Sequence, residues 1–270
     1  MPLAPGGCTY SYLWTLSLDD TVNRLADLGF RSIELMATPP HLWPAEFARS
    51  ERAALRRLCA SRGMTITSVN PTYLDLNLAS LNPGFRAETV RQLREIIRLA
   101  HDLEAEAVVV VAGRKHPLLA PEPGHLWRLV REGLETLLPD CDRLGVTLAL
   151  ENGWTVIDRV EQLWQMCQEC AHPRLGVTYD VANALAVESP TSGLHQIAPH
   201  LALLHLSDTQ AGRWGHDRIG SGMVDFTAVT QAVRQIGYTG RTILEIVDPA
   251  SPDEANRSSL ERLWALGWSE

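Results

Sequence analysis

The chain has 270 residues, 45% of them hydrophobic, enough to bury a large core and the right length for one complete α/β barrel. Its net charge of −8, from 24 basic and 32 acidic residues with no basic run, argues against a nucleic-acid or other polyanion-binding surface. No apolar stretch approaches the roughly 20 residues needed to cross a bilayer, and the N-terminal MPLAPGGCTYSYLW lacks the basic segment and apolar run of a signal peptide.

Strand and helix signals alternate from end to end, with no linker or low-complexity tract. Strands are expected near Cys8–Tyr12, Ser32–Leu35, Thr65–Asn70, Ala107–Val111, Val146–Glu151, Gly176–Asp180, Leu201–His205 and Thr242–Ile246. Helical patterns fill the intervals at Leu18–Leu28, Pro44–Arg62, Phe85–Leu103, Pro123–Leu144, Arg159–Cys170, Gly193–Ile197, Phe226–Ile236 and Asp253–Leu266. Gly29, Gly63, Gly145 and Gly237 stand where a helix stops before the next strand. Eight strand–helix pairs average about 34 residues, the size of a βαβ repeat. The reading is α/β: a (β/α)8 TIM barrel forming one domain over residues 1–270. An open doubly wound sheet lacks its G-x-G-x-x-G after the first strand.

The five cysteines (8, 59, 141, 167 and 170) are an odd number without a paired framework, which fits a reducing compartment and a cytoplasmic location. Cys167-x-x-Cys170 sits inside a helical pattern without a second pair and reads as two partly buried thiols.

Four strands of the second half each run into a metal-binding side chain: Glu151, Asp180, His205 and Glu245, at spacings of 29, 25 and 40 residues. In a barrel the C-terminal ends of all strands meet at one mouth, so residues spread over 94 positions converge. Taken singly, a carboxylate after an apolar strand can be a ligand, a base or a helix cap, and each of the four reads more readily as structural. Together, without a cation, the acidic groups would repel one another. The set predicts one divalent ion, Mn2+ first, with Mg2+, Co2+, Fe2+ or Zn2+ as alternatives.

Asn183, one turn beyond Asp180, either points its amide at substrate or a ligand or caps a turn. Asp208 either orients an imidazole or caps a loop. The long Gly-rich stretch from Asp208 to Asp225 carries His216, Asp217 and Arg218, and loops of that length in compact barrels are usually functional. Asp225 is expected to cap the helix that follows. Candidate substrate contacts near strand ends are Tyr10, Glu34, Asn70, Lys115, His116, Asn183, His216 and Arg218. Trp14, Trp43, Trp154 and Trp214 fall in mouth loops and offer either apolar faces to a sugar ring or packing.

With these residues in hand, the chain resembles the xylose-isomerase-like barrel superfamily and its sugar phosphate isomerase/epimerase branch. The motifs are Ser32-Ile-Glu34-Leu35, Ala149-Leu-Glu151-Asn152, Thr178-Tyr-Asp180-Val-Ala-Asn183-Ala184, His205-Leu-Ser-Asp208, Ile219-Gly-Ser-Gly222 with Asp225, and Gly240-Arg-Thr-Ile-Leu-Glu245. The resemblance implies that Glu151, Asp180, His205 and Glu245 hold the metal and that Glu151 and Glu245 are also the catalytic acid–base pair. It departs from the ketose 3-epimerases at three places. Asn183 stands where they carry His, Ile157 where they carry a second Glu, and Ala211 where they carry Arg, with Arg213 and Arg218 as nearby substitutes.

The implied activity is isomerisation or epimerisation of a small carbohydrate, ketose or cyclic polyol through a metal-stabilised enediolate. The acidic chain and the lack of a Gly-rich phosphate cradle favour an unphosphorylated substrate. The alternatives are a dehydratase of inosose or 3-dehydroshikimate type, an endonuclease-IV-like phosphodiesterase suggested by Gly215-His-Asp-Arg-Ile-Gly220, and a non-catalytic sugar-binding barrel. No nucleic-acid or membrane partner is expected, and a homodimer is compatible with the sequence.

Overall fold

A computed structural model describes residues 3–72, 75–116, 118–153 and 156–269. Its centre is a closed barrel of eight parallel strands in sequence order: β1 (Pro5–Cys8), β2 (Ser32–Ala37), β3 (Thr65–Pro71), β4 (Ala107–Val111), β5 (Thr147–Glu151), β6 (Leu175–Asp180), β7 (Leu201–Leu206) and β8 (Arg241–Leu244). β1 pairs with β8 at Gly6↔Ile243 and closes the ring. The helices lie outside: α1 (Leu18–Asp27), α2 (Arg49–Ser61), α3 (Pro83–Asp102), α4 (Pro123–Leu144), α5 (Val160–Cys170), α6 (Val181–Leu185), α7 (Pro190–Ile197), α8 (Phe226–Gln235) and α9 (Pro252–Ala265). Among the described residues no helix is long and apolar enough to cross a membrane, and all five cysteines are free.

The period-two alternation of a strand sorts its side chains between two cores. On β5, Leu148 and Leu150 join the large core between strands and helices. Inside the barrel a second, smaller cluster gathers Cys8, Met36, Val109, Leu203 and Ile243, one from each of five strands. Two residues beyond Leu203 comes His205, and two beyond Ile243 comes Glu245. The same parity that packs the barrel therefore delivers the polar residues to its mouth. A strand slipped by one residue would send them to the helix layer.

The four helix-stop glycines all adopt positive φ, from 65° at Gly237 to 102° at Gly29, as the helix ends demand. Three elements differ from expectation by three residues or more at one end or both. The first strand lies at Pro5–Cys8 rather than Cys8–Tyr12, and Tyr10–Tyr12 is a 3-10 turn. The strand contains Gly6 and Gly7, poor strand formers by propensity, but a Cβ on Gly6 would come within 2.6 Å of Ser32 Oγ. Close approach, not propensity, decides that strand. α2 starts at Arg49 instead of Pro44 because Glu51 reaches back to the Ala48 amide (2.6 Å), while Arg52 takes the carbonyls of Phe47 and Pro44. The seventh helix begins three residues early, at Pro190, and a short helix α6 precedes it.

The chain ends by locking the barrel. Trp268 is 1% exposed, and its indole donates to Thr230 Oγ1 at 2.7 Å. The next residue, Ser269, donates its amide to Leu3 O, tying the two ends of the chain together. Trp268→Ala should cost about 3–5 kcal/mol in urea unfolding, as for other buried aromatics. Trp268→Phe should cost nearer 1 kcal/mol, for one lost hydrogen bond and a smaller ring. Equal losses in the two variants would show that ring packing does not anchor this end.

Candidate metal centre and substrate cavity

The mouth of the barrel gathers an unusual density of buried charge. Glu151, Asp180, His205 and Glu245 come from the ends of β5, β6 and β7 and from the residue just past β8, and each is no more than 6% exposed. One ligand atom from each lies within 4.8 Å of all the others. His205 Nδ1 stands 3.0 Å from Glu151 Oε1 and 3.2 Å from Glu245 Oε2. Asp180 Oδ1 caps α6 by accepting the Asn183 amide at 2.7 Å. Its other oxygen, Oδ2, is buried with no hydrogen-bond donor among the described residues, and the nearest positive partner is His216 Nδ1 at 3.5 Å.

A buried carboxylate oxygen without a donor is costly unless a cation meets it. Six-coordinate bonding at about 2.1 Å places neighbouring ligands about 3.0 Å apart and opposite ones about 4.2 Å apart, within the observed spread. Three carboxylates and one imidazole suit a hard or borderline divalent ion. The residues present thus fit such an ion.

Burial and mutual repulsion set the protonation of the metal-free site. Burial pushes the Glu151 carboxyl up to about 7, against the pull of His205. Burial also raises Glu245, but His205 and His216 outweigh it and hold that group near 2. Asp180 is raised by burial. For His205, burial favours the neutral ring, yet Glu34, Glu245 and Glu151 together lift it well above 6.5. His216 rises for the same reason, through Glu245, Asp180 and Glu151.

The site opens into a cavity of about 220 Å3, walled by Tyr10, Asn70, Val111, Arg114, Asn183, Trp214 and His216 together with the two glutamates. That is below the roughly 300–1,000 Å3 of drug-sized pockets, so the occupant is small. His216 and Trp214 arrive on the loop from 208 to 225. Asp208 organises that loop from within: its carboxylate accepts the amides of Thr209, Gly220, Gly222 and Val224 at 2.7–3.0 Å. It does not orient His205. His216 Nδ1 meets Ser207 Oγ at 3.0 Å and Glu245 Oε2 at 3.3 Å. Asp225 caps α8 through the Ala228 amide.

The expected substrate contacts divide into two groups. Tyr10, Asn70, Asn183, His216 and Trp214 line the cavity. Lys115 and His116 are exposed and outside the lining, and His116 Nδ1 accepts the amides of Leu118 and Leu119. Arg218 is paired with Asp248 through two hydrogen bonds of 2.9 and 2.7 Å, and Arg213 contacts Asp217. Glu34 is fully buried below the cavity floor, where it meets His205 Nε2. Trp14 is 79% exposed, Trp43 packs against the outer core, and Trp154 lies outside the described residues. Ile157 is a core residue.

Arg114 and Asn152 line the cavity without having been singled out in the sequence. Arg114 follows Gly113, whose φ of 113° turns the chain just beyond β4; its place directly past a strand end was the available signal. Asn152 adjoins Glu151 and bridges to β6, exchanging hydrogen bonds with the Asp180 backbone at 2.8 and 2.9 Å.

A family model described as xylose isomerase-like TIM barrel matches residues 22–266. An L-ribulose-5-phosphate 3-epimerase of Escherichia coli is 24% identical over 243 residues, spanning 88% of this chain and 84% of that protein. An uncharacterized protein of Methanocaldococcus jannaschii is 28% identical over 190 residues, 66% of this chain, and the match spans 63% of that relative's length. The solved structure of a D-tagatose 3-epimerase-like protein superposes with a TM-score of 0.84 at 22% identity, covering 97% of this chain and 98% of that one, which shows a shared fold.

The electrostatics predict opposite pH trends for the metal-free and metal-loaded protein. A group whose folded pKa is raised stabilises below its unfolded pKa, and that stability is lost as pH rises through the folded value. His205 and His216, raised from 6.5, and Glu151, raised from 4.5 to about 7, all act in this sense. Glu245, depressed from 4.5, opposes them only below its ordinary range. In EDTA, thermal stability should therefore fall as pH rises from about 5 to about 8. In saturating Mn2+ it should rise over the same range, because ligation requires deprotonated groups. Parallel profiles with and without metal would contradict the assignment.

Proposed function

The chain belongs to the xylose isomerase-like TIM barrel family, and from that premise we propose that it is a divalent-metal-dependent epimerase or isomerase of a small sugar, ketose or cyclic polyol. The observation that carries this reading is the pair Glu151 and Glu245. The two carboxylates come from β5 and from beyond β8, both line one cavity, and His205 stands between them. Relatives named for 3-epimerisation of L-ribulose 5-phosphate and for likeness to D-tagatose 3-epimerase support sugar as the substrate class.

Glu151, Asp180, His205 and Glu245 would hold the ion. When bound, it would polarise adjacent carbonyl and hydroxyl oxygens of the substrate and acidify the C–H bond between them. The protein supplies the proton transfers. Both carboxylates line the same cavity, so one of the pair can accept a proton from carbon while the other returns one. Carboxylates reaching the substrate from separate strands permit removal from one face and return to the other. Asn70, Asn183 and Arg114 offer hydrogen-bonding groups to substrate oxygens, while Tyr10, Val111 and Trp214 supply apolar wall. The substrate contacts differ from a ketose 3-epimerase pattern at Ile157, which is core, and at Asn183.

The proposal is tested with Glu151→Gln and Glu245→Gln. Each should keep the fold and much of the metal while losing several orders of magnitude in turnover, since one essential acid or base is rarely replaced by its partner. Solvent deuterium incorporation into substrate or product, at matched metal content, should fall in both variants. Wild-type exchange in both would reduce the glutamates to ligands and move the base elsewhere. A product that gains ultraviolet absorbance from a conjugated carbonyl would reassign the chemistry to dehydration.

A further inference from the structure

His205 turns its two ring nitrogens toward different partners. Nδ1 faces Glu151 and Glu245 in the metal site, at 3.0 and 3.2 Å. Nε2 faces away from that site and lies 3.1 Å from Glu34 Oε2. Glu34 belongs to β2, has no exposed surface, and is absent from the cavity lining, whereas Met36, two residues on, forms part of it. A substrate therefore meets Met36 and not Glu34.

The surroundings of Glu34 are built to hold it still. Ser68 Oγ donates to Oε2 at 2.7 Å and Asn70 Nδ2 donates to Oε1 at 3.0 Å. Cys8 Sγ approaches Oε1 at 3.7 Å as a weak donor. Among the described residues His205 is the one ionisable base within ion-pair distance of Glu34. The same Asn70 Nδ2 also reaches Glu245 Oε1 at 3.1 Å, so the Glu34 assembly touches two of the four candidate ligands.

We propose that Glu34 is a positioning residue for the metal centre: it accepts the Nε2–H of His205 and thereby fixes the tautomer whose Nδ1 lone pair points at the ion. A neutral imidazole carries one donor nitrogen and one acceptor nitrogen, and only the acceptor can bind a metal. If the proton sat on Nδ1, it would point into the ligand set and block ligation. A carboxylate on the far nitrogen excludes that tautomer, fixes the ring plane and makes the ligating nitrogen more basic. Asn70 extends the same hold to Glu245. This inference rests on the metal-site reading above and assigns Glu34 a task distinct from the substrate contact expected from sequence.

The test reads metal binding without any substrate. Co2+ titration followed by its visible absorption, and Mn2+ titration by calorimetry, should show binding about 10–100-fold weaker in Glu34→Gln than in wild type. Far-UV circular dichroism of the metal-free variant confirms the fold. Because Glu34 acts through His205, the same substitution in a His205→Ala background should cost little more. Wild-type affinity in Glu34→Gln, or an undiminished loss in the His205→Ala background, would overturn the role.

A second measurement needs only the wild-type protein. With 15N-labelled histidine and Zn2+ as a diamagnetic ion, His205 should show a protonated, hydrogen-bonded Nε2 and a metal-ligated Nδ1. Ligation through Nε2 would overturn the proposal. Absence of any metal binding by the wild type would overturn the site itself and this role with it, whereas intact wild-type binding with an unaffected Glu34→Gln would remove the positioning role alone.

Discussion

Everything at the barrel mouth follows from the concentration of buried acid around His205. Glu34, Glu151 and Glu245 all lie within about an ordinary hydrogen-bond length of its ring, and Asp180 adds a fourth buried carboxylate. Such a group cannot be stabilised by hydrophobic packing, because each charge removed from water must be met by a donor or a cation. In the metal-free state the two histidines, and the upward shift of the Glu151 carboxyl, supply part of that compensation. Asp180 Oδ2 shows where it is incomplete. A divalent ion there would complete it and would link folding to ion binding at this site.

The scaffold accommodates this concentration because strand alternation separates tasks. Apolar residues of one parity fill the space under the helices, while those of the other fill the barrel and end in the polar set. Glu34 and Ser68 are paired neighbours across β2 and β3, and they form a polar layer beneath the ligands that the alternation places on the barrel axis. The loop from 208 to 225 is tied down with equal thoroughness. Four amides converge on Asp208, and a Cβ on Gly222 would fall 2.3 Å from that carboxylate. A long surface loop would ordinarily be mobile; this one holds Trp214 and His216 against the cavity as a fixed wall.

The arginines near His205 in sequence, Arg213 and Arg218, are engaged with Asp217 and Asp248, and Arg114, just past β4, is among the residues that line the cavity. With Ile157 in the core and Asn183 bonded to the Asn152 carbonyl at 3.0 Å, the hydrogen-bonding pattern offered to a sugar is this chain's own. The proposed acid, base and ion would thus act beside a wall of this chain's own composition.

The sequence alone determined the barrel, its strand order and the convergence of Glu151, Asp180, His205 and Glu245, because these depend on local signals: apolar strands, glycine stops, and a polar residue at each strand end. It misplaced the first strand, since the glycines that permit close approach there carry no propensity signal. It could not distinguish Asn70, which lines the cavity, from Glu34, which lies beneath it, or choose Arg114 over Lys115. Those distinctions depend on which side chains share a layer across strands 34 to 175 residues apart, and on which charges find partners elsewhere. Burial depth and pairing are properties of the closed barrel, and only its tertiary structure decided them.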